Sequence, residues 1–457
     1  MIGTGVWEPA PSRVAAVGRR GMVATSSPLA ALAGLRRLEQ GGNAADAALA
    51  AAGVLAVVEP NQSGPGGDLF GLVLRDGHPP AGLNASGRAP ADPGVELPAE
   101  FGPRSVTVPG CVAGWCDLAA RYARFGVDSL LQPAIDLAER GFAVPPRALE
   151  HWRAAHADLS GEAADVFAPA TAGRNPAIAT ALREAAAGTF YTGPVARAVA
   201  SACWLSEDDL AVHHNDWVEP LAFAYRGHRV LELPPNGQGS IAGWALETLD
   251  GQDEREPSAG AQVEALAAAY ARGYASIGGT SYVCAADGEG MAVSLIQSIY
   301  HGFGSRIVAP GYGFALQNRA AGFVVEQGHP NDFASAKRPF HTIMPAGLLA
   351  PDGRWTAAFG VTGGRYQPQG HVQVVVGLLD AGLDPQAVLD RPRYLLEEDG
   401  SVSLEPPLAE LVGGFGRPAR VRSDPGEYGN GHLIVRTGDG LLWGGSEPRR
   451  DGVAVGA

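Results

Sequence analysis

The chain of 457 residues is 46% hydrophobic and 18% charged, a balance that favours a globular protein with a large core over a disordered chain. Its formal net charge of −14 gives an acidic surface that repels phosphate backbones, so we expect no nucleic-acid partner. No apolar stretch approaches 18 residues without a break, and the amino terminus has no apolar core of signal-peptide length, so we expect no membrane association and a cytoplasmic location.

The first part of the chain predicts helices with a strand among them. Residues 29–40 place apolar side chains on one helical face and end at Gly41, a typical helix stop. Asn43 is a suitable cap for a second helix that runs to residue 56. The pattern then changes to a strand over 69–74. Further helices are predicted over 111–124, 129–140, 176–203 and 261–274.

The second part of the chain predicts mainly strands. Helices followed by strands, without regular βαβ alternation, indicate an α+β fold rather than a doubly wound parallel sheet. The polar stretch 250–260 is interpreted as a surface loop, with a domain boundary as the alternative. The segment "YRGHRVLELPP" predicts one strand. The remaining predicted strands are 281–286, 291–299, 312–317, 343–350, 354–361, 433–437 and 440–443, with a helix over 371–381.

The glycine-dense segment "SGPGGDLFG" (63–71) raises the question of a nucleotide site. A dinucleotide-binding loop follows a strand and opens a helix, whereas these glycines follow a helix and open a strand. We therefore interpret them as positions of close chain approach. The four cysteines have no zinc-binding spacing and no cofactor motif is present, so the sequence predicts neither a metal nor a cofactor.

Two short motifs offer polar groups of catalytic type. In "VTGG", Gly363 and Gly364 present two unobstructed backbone N–H groups that can hold a developing oxyanion, although the same pattern also forms plain turns. "KRPFHTIMP" contains His341 and Thr342, but a lone histidine is commonly structural. No GxSxG or HExxH motif is present, so the sequence does not define a Ser/His/Asp triad.

Gly278 and Gly279 lead into Thr280, which opens a strand-like run. A threonine in this position commonly only begins a hairpin. If the chain were cut before Thr280, however, the new α-amine would have a pKa of about 7.7–8.0 and could take the proton of the hydroxyl. Gly279 suits such a cut because its carbonyl is open to approach by that hydroxyl.

Many collinear segments resemble the γ-glutamyltranspeptidase family of self-processing N-terminal-nucleophile hydrolases. The resemblance begins with "GMVATSSPLAALAGLRRLEQGGNAADAALAAAGVLAVVEPNQSGPGGDLF" at residues 21–70. It continues over most of the chain through "VPGCVAGW", "QPAIDLAERGFAV", "LSEDDLA", "LPPNGQG", "DGEGMAVSL", "FGSRIVAPGYGFALQN", "KRPFHTIMP" and "GVTGG".

This resemblance implies a four-layer αββα sandwich and cleavage between Gly279 and Thr280. The fragments would be residues 1–279 and 280–457, which together form one globular domain and a heterodimer of the chain's own halves. Thr280 would be nucleophile and base, and Ser298 would hydrogen-bond to it. Gly363 and Gly364 would form the oxyanion hole.

The chain also departs from the family pattern around the substrate. In the family, an acidic residue binds the α-amino group of the glutamyl substrate, and Gly322 stands at that position here. The arginine that binds the α-carboxylate is also absent, and Arg88 lies close to its position in the sequence but not at it. The segment before Thr280 is shortened. Three other positions differ. This chain has Ser281–Tyr282 where the family has Thr-His, and Tyr300 where the family has asparagine. It has His341–Thr342 where the family has a pair of serines.

Because Gly322 stands where the family has an acidic residue, the site lacks a charge-assisted hydrogen bond to a substrate ammonium, which is worth ~1.5–3 kcal/mol. We therefore expect an amidohydrolase that acts on a small-molecule amide, with Arg319 or Arg88 contacting an acidic group. One alternative is γ-glutamyl transfer from glutathione, with Arg88 as the clamp. The other is an uncleaved, non-catalytic family member. The residues expected to bind substrate are Arg88, Tyr300, Asn318, Arg319, His341 and Thr342.

Overall fold

The computed structural model describes residues 12–252, 256–273, 279–423 and 428–457. The shortened stretch at 274–278 and part of the polar loop at 250–260 lie outside these residues. The described helices have the following bounds: α1 Pro28–Glu39, α2 Ala44–Val58, α3 Cys111–Tyr122, α4 Val127–Arg140, α5 Pro146–His156, α6 Gly161–Val166, α7 Pro176–Ala186, α8 Pro194–Ala202, α9 Glu207–Ala211, α10 Gly239–Asp250, α11 Ala259–Arg272, α12 Tyr366–Leu379 and α13 Pro385–Asp390.

Two antiparallel sheets form the centre of the described fold. The strands are β1 Ala16–Gly18, β2 Gly21–Thr25, β3 Asp68–Arg75, β4 Ala81–Ala85, β5 Phe142–Ala143, β6 Ala172–Gly173, β7 Asp216–Val218, β8 Leu221–Tyr225, β9 His228–Glu232, β10 Gly279–Asp287, β11 Met291–Tyr300, β12 Ala346–Leu349, β13 Trp355–Val361, β14 Tyr394–Leu396, β15 Val402–Leu404, β16 Ala419–Val421, β17 Gly431–Arg436, β18 Leu442–Ser446 and β19 Val453–Gly456. The first sheet has the order β19-β2-β10-β11-β3-β4-β7, and the second has β1-β18-β17-β13-β12-β9-β8.

The two sheets face each other across an apolar layer. Strand alternation places Tyr282, Cys284 and Ile296 of the first sheet against Ala358 and Ile434 of the second. Both sheets are also covered by helices, because α1 and α2 contact the first sheet while α10 and α12 contact the second. The described fold is therefore a mixed α and β architecture built on antiparallel sheets.

Helix α2 shows how local sequence signals produce this packing. Asn43 accepts hydrogen bonds from the N–H groups of Ala45 and Asp46, and the carboxylate of Asp46 accepts one from the N–H of Asn43. This reciprocal cap starts the helix where the sequence predicts it. Every residue of α2 is buried, since the helix lies between β10 and β11 on one side and α1 and α4 on the other.

None of the helices in the described ranges has the length and apolarity needed to cross a membrane.

Three sequence predictions of elements were wrong. Residues 312–317 form no strand; Gly311 and Gly313 have left-handed backbone angles and leave only an isolated bridge between Val308 and Ala315. The segment "YRGHRVLELPP" spans the turn of a hairpin, because residues 226–227 have positive φ angles between β8 and β9. The stretch 176–203 contains two helices, α7 and α8, rather than one.

Candidate active site

Thr280 is the second residue of β10 and is 2% exposed. Period-two alternation places it on the same face as Tyr282, which lies between the two sheets. Its hydroxyl oxygen has no hydrogen-bond partner among the described residues. A buried hydroxyl without a partner is costly in a structural threonine, so the position is consistent with a functional group.

Ser298 lies across the sheet from Thr280. In the pairing of β10 with β11, Gly279 lies opposite Tyr300 and Ser281 lies opposite Gln297. A register shift between these two pairs leaves Thr280 opposite the segment that begins at Ser298. Directly opposed residues have Cβ atoms about 4.5–5.5 Å apart. The Ser298 hydroxyl accepts a hydrogen bond of 2.9 Å from the N–H of Tyr300. The Thr280 hydroxyl oxygen has no partner among the described residues, so the structure does not contain the expected hydrogen bond between Ser298 and Thr280.

Arg319 brings a buried positive charge to Ser298. The residue is 1% exposed, and its guanidinium donates long hydrogen bonds of 3.3 Å to the hydroxyls of Ser298 and Thr342. The guanidinium carbon lies 4.0 Å from the centre of the Tyr300 ring. Burial lowers the pKa of Arg319 to about 10, against the effect of Tyr300 and Asp68. The side chain therefore remains a cation at neutral pH.

Asp68 is the carboxylate nearest to this cation, but other groups occupy its oxygens. One oxygen accepts hydrogen bonds from the N–H groups of Gly87 and Gly110, and the other lies 3.1 Å from Nε2 of His341. The Nε of Arg319 is 4.0 Å from Asp68 and has no hydrogen-bond partner in the described part of the chain. The guanidinium is thus only partly neutralised, which suits an anionic ligand.

His341 is fully buried and neutral at pH 7. Burial and the charge of Arg319 lower the pKa of its ring to about 4, although Asp68 opposes the shift. A neutral ring beside the Asp68 carboxylate is a hydrogen-bond donor through Nε2. His341 therefore holds Asp68 in place, and the adjacent Thr342 contacts Arg319.

Gly363 and Gly364 form the turn that follows β13, with φ angles of 107° and 56°. Neither of their N–H groups donates a hydrogen bond within the described ranges. Before the turn, β13 packs against the strand of Thr280: a Cβ atom at Gly360 would be 2.3 Å from the Tyr282 ring. Two free N–H groups at the end of a buried strand are suited to stabilising an oxyanion.

The structure gives Arg88 and Asn318 other partners. Arg88 lies 3.8 Å from Asp216, a carboxylate that also pairs with Arg338, and its side chain is 29% exposed. The Asn318 side chain accepts a hydrogen bond from the N–H of His301 and donates one to the carbonyl of Glu100. Within the described residues, neither side chain forms a hydrogen bond or an ion pair with Ser298, Arg319 or Thr342.

Three residues of the site were missed in the sequence. Asp68 and Gln238 lie within the glycine motifs "SGPGGDLFG" and "LPPNGQG", but the sequence does not show that either side chain is buried or which distant residues it bonds. Glu59 accepts a hydrogen bond of 2.5 Å from the hydroxyl of Ser281, next to the nucleophile candidate. Burial raises the pKa of Glu59, against the hydrogen bond from Ser281.

The close approaches expected at the first glycine motif are confirmed. A Cβ atom at Gly66 would lie 2.3 Å from the carbonyl oxygen of Ala315, and one at Gly67 would lie 2.5 Å from that of Ser298. Real Cβ atoms do not approach so closely, so only glycine fits. The motif therefore brings the start of β3, with Asp68, against the end of β11.

The sequence profile described as Gamma-glutamyltranspeptidase matches residues 30–278 and 261–457, and the chain belongs to this family. This membership makes it an enzyme of the kind that hydrolyses or transfers amide-linked groups.

Several characterised proteins are similar over their full length. The glutathione hydrolase-like YwrD proenzyme of Bacillus subtilis is 30% identical over 96% of this chain and 99% of its own. The oxamate amidohydrolase proenzyme of Klebsiella pneumoniae has the same identity and coverage. The crystal structure of cephalosporin acylase from Bacillus halodurans has a TM-score of 0.90 and 36% identity, and covers 100% of this chain and 99% of its own.

Proposed function

We propose that the protein is a self-processing amidohydrolase whose nucleophile is the amino-terminal threonine released at Thr280. Cleavage after Gly279 would give fragments 1–279 and 280–457, which stay together as a heterodimer with four layers ordered helices, sheet, sheet, helices. The observation that carries the proposal is the buried, unpartnered hydroxyl of Thr280 opposite Ser298. The proenzyme names of the relatives support it.

Self-cleavage would begin with attack of the Thr280 hydroxyl oxygen on the Gly279 carbonyl carbon. The carbon–nitrogen bond of that peptide breaks, the hydroxyl proton passes to the leaving nitrogen, and an ester joins Gly279 to the threonine oxygen. Water then hydrolyses the ester, which frees the Gly279 carboxylate and the hydroxyl. The new α-amine of Thr280 has a pKa near 8, so it can act as a base near neutral pH.

The same hydroxyl would then attack a substrate amide. The α-amine takes the hydroxyl proton as the oxygen bonds to the amide carbon, and the N–H groups of Gly363 and Gly364 hold the resulting oxyanion. The proton passes to the leaving amine as the carbon–nitrogen bond breaks. Water hydrolyses the acyl ester and returns a proton to the threonine. Each step uses groups of this chain and water.

Arg319 makes an acidic acyl group the expected substrate class. Its guanidinium is buried, lies beside Ser298, and shares its nearest carboxylate with three other donors. A substrate carboxylate can accept two parallel hydrogen bonds from an arginine in this environment. The oxamate named for one relative is the monoamide of a diacid, so its acyl group carries a carboxylate, which agrees with this expectation. Arg88 is less suited, because Asp216 already pairs with it.

Two alternatives remain from the sequence. A γ-glutamyltransferase that uses glutathione would need a partner for the substrate ammonium, and Gly322 supplies no charge there. An uncleaved, non-catalytic protein would have no need of an unpartnered buried threonine. The relatives named as glutathione hydrolases keep the first alternative open to direct assay.

Denaturing electrophoresis followed by terminal sequencing tests the proposal. The 47.1 kDa chain should give bands of about 29 and 18 kDa, in proportion to fragments of 279 and 178 residues. The smaller band should begin Thr-Ser-Tyr-Val, and Thr280→Ala should remain uncut.

Ammonia release from oxamate and neutral amides, and a γ-glutamyl anilide assay with and without a dipeptide, then separate the activities. An active enzyme that lacks the new terminus would overturn the proposal.

A further inference from the structure

Gln238 connects two loops of the candidate site, one at Thr342 and one at Gly364. It precedes α10 and is 2% exposed. Its side-chain amide donates one hydrogen bond of 2.7 Å to the carbonyl oxygen of Thr342 and another of 2.9 Å to that of Gly364. The first loop carries a partner of Arg319, and the second carries the N–H groups expected to bind the oxyanion.

The donor end of this side chain is the part that holds the loops. Rotating the amide by 180° would place Oε1 against two carbonyl oxygens, so the orientation follows from the partners. Oε1 itself has no hydrogen-bond partner in the described residues. Without the amide, the carbonyl oxygen of Thr342 would lose this donor, and that of Gly364 would keep the 3.2 Å hydrogen bond from the N–H of Gln367.

We propose that Gln238 is a positioning residue that sets the distance between the oxyanion turn and the anion-binding side of the active site. The proposal rests on the function proposed above. It predicts that both the rate of acylation and the preference for acidic acyl groups depend on a donor at this position. A misplacement of about 1 Å at a reacting group can cost on the order of 100-fold in rate.

Gln238→Glu and Gln238→Met test this in the full chain. Glutamate has the same shape as glutamine. When it is ionised, it places an oxygen where the amide nitrogen donated to the two carbonyl groups, so it cannot donate to either. When it is protonated, its O–H can donate to one of them. Burial beside two carbonyl oxygens favours the protonated form. The methionine keeps the length and cannot donate at any pH. Gln262→Glu is the matched control, because Gln262 is buried and donates to the carbonyl of Pro257 away from the site.

The measured quantity is acylation of the 178-residue fragment by two activated esters. The probes are 4-nitrophenyl acetate, which is neutral, and the 4-nitrophenyl half-ester of succinate, which is anionic. At pH 8, Gln238→Glu should acylate about 100-fold more slowly than the wild type, with a reduced preference for the anionic ester. At pH 6, the acylation rate of Gln238→Glu relative to that of the wild type should be about tenfold higher than at pH 8. Gln238→Met should be slow at both pH values.

The outcomes separate the two proposals. If the wild type cleaves itself and accepts acyl groups while both Gln238 variants match it, this inference is wrong and the proposed function stands. A loss in Gln238→Glu that does not change with pH, or that Gln262→Glu shows as well, reduces Gln238 to a packing role. If the wild-type fragment takes up no acyl group from either ester, the proposed function fails and this inference fails with it. Should Gln238→Glu fail to accumulate, a wild-type rate in Gln238→Met contradicts the inference and a slow rate at both pH values supports it. Should Gln238→Met fail, the change in the rate of Gln238→Glu between pH 8 and pH 6 decides.

Discussion

Arg319 and Asp68 are both buried and lie 4.0 Å apart, yet they do not form a hydrogen-bonded ion pair. The carboxylate accepts its hydrogen bonds from Gly87, Gly110 and His341 instead. A buried guanidinium that is close to a negative charge but not bonded to it can be retained in the core and still bind an anion. Our proposal of an acidic acyl group rests on this arrangement.

Replacing Arg319 tests this assignment. Arg319→Gln should lower kcat/KM for an acidic amide or the succinate half-ester by about 100-fold, equivalent to about 2.7 kcal/mol, because a charge-assisted contact is lost. Turnover of the neutral acetate ester should change by less than about threefold. Arg88→Gln is the matched control and should leave the preference for acids intact. Equal losses on both esters would show that Arg319 supports the fold rather than the substrate.

The oxyanion turn can be tested through backbone geometry. Gly363 has a φ angle of 107°, and an added Cβ atom would lie 2.8 Å from Cα of Gly429. Gly363→Ala should therefore move the N–H groups and lower kcat by about 100-fold to 1,000-fold, the range for loss of one oxyanion donor.

Gly382→Ala is the control for strain alone. Gly382 also has a positive φ angle of 65°, but an added Cβ atom there meets nothing within 4 Å. It should cost only about 1 kcal/mol of stability and leave kcat unchanged. If Gly363→Ala lowers stability as Gly382→Ala does but keeps full kcat, the turn does not bind the oxyanion.

Ser298→Ala tests the partner of the nucleophile. The hydroxyl accepts from Tyr300 and Arg319, so its removal leaves two donors without their acceptor near Thr280. We expect self-cleavage and ester acylation to slow by about 10-fold to 100-fold, since Ser298 lies opposite the nucleophile and a misplacement of about 1 Å at a reacting group can cost on the order of 100-fold. Ser298→Thr restores the hydroxyl and should recover most of the rate. Time courses of the 29 and 18 kDa bands measure the first effect, and no slowing in the alanine variant would contradict the assignment.

Local signals in the sequence explain much of the fold but only part of the site. The cap at Asn43 and the alternating pattern after Thr280 depend on neighbouring residues, so they could be predicted. The failed strand at 312–317 shows the limit, because left-handed glycines decide the path there and the apolar pattern does not reveal them.

Within the site, the predictable residues are those whose chemistry is local. Gly363 and Gly364 could be proposed because adjacent N–H groups suffice for an oxyanion hole. Asp68 and Gln238 could not, because their partners lie far along the chain: 42 residues for Gly110, 273 for His341 and 126 for Gly364. Such contacts exist only once the two sheets have packed together.

The buried histidines make stability depend on pH. His432 is 1% exposed, and neither ring nitrogen has a hydrogen-bond partner within the described residues. Burial lowers the pKa of His432 to about 3, whereas the unfolded value is near 6.5. Between those values the unfolded chain binds a proton that the folded chain does not, so the free energy of unfolding falls as pH falls.

Substituting His432 should therefore reduce this loss. On a Thr280→Ala background, which keeps one uncut chain, His432→Phe should lower the pH-dependent loss of unfolding free energy between pH 7 and pH 5 by about 2 kcal/mol. His213 and His341, whose pKa values burial lowers to about 4, continue to contribute in this window. Urea unfolding at both pH values measures the difference, and His78→Gln, an exposed position, serves as the control. An unchanged difference in His432→Phe would mean that the ring gains a proton without unfolding the surrounding sheets.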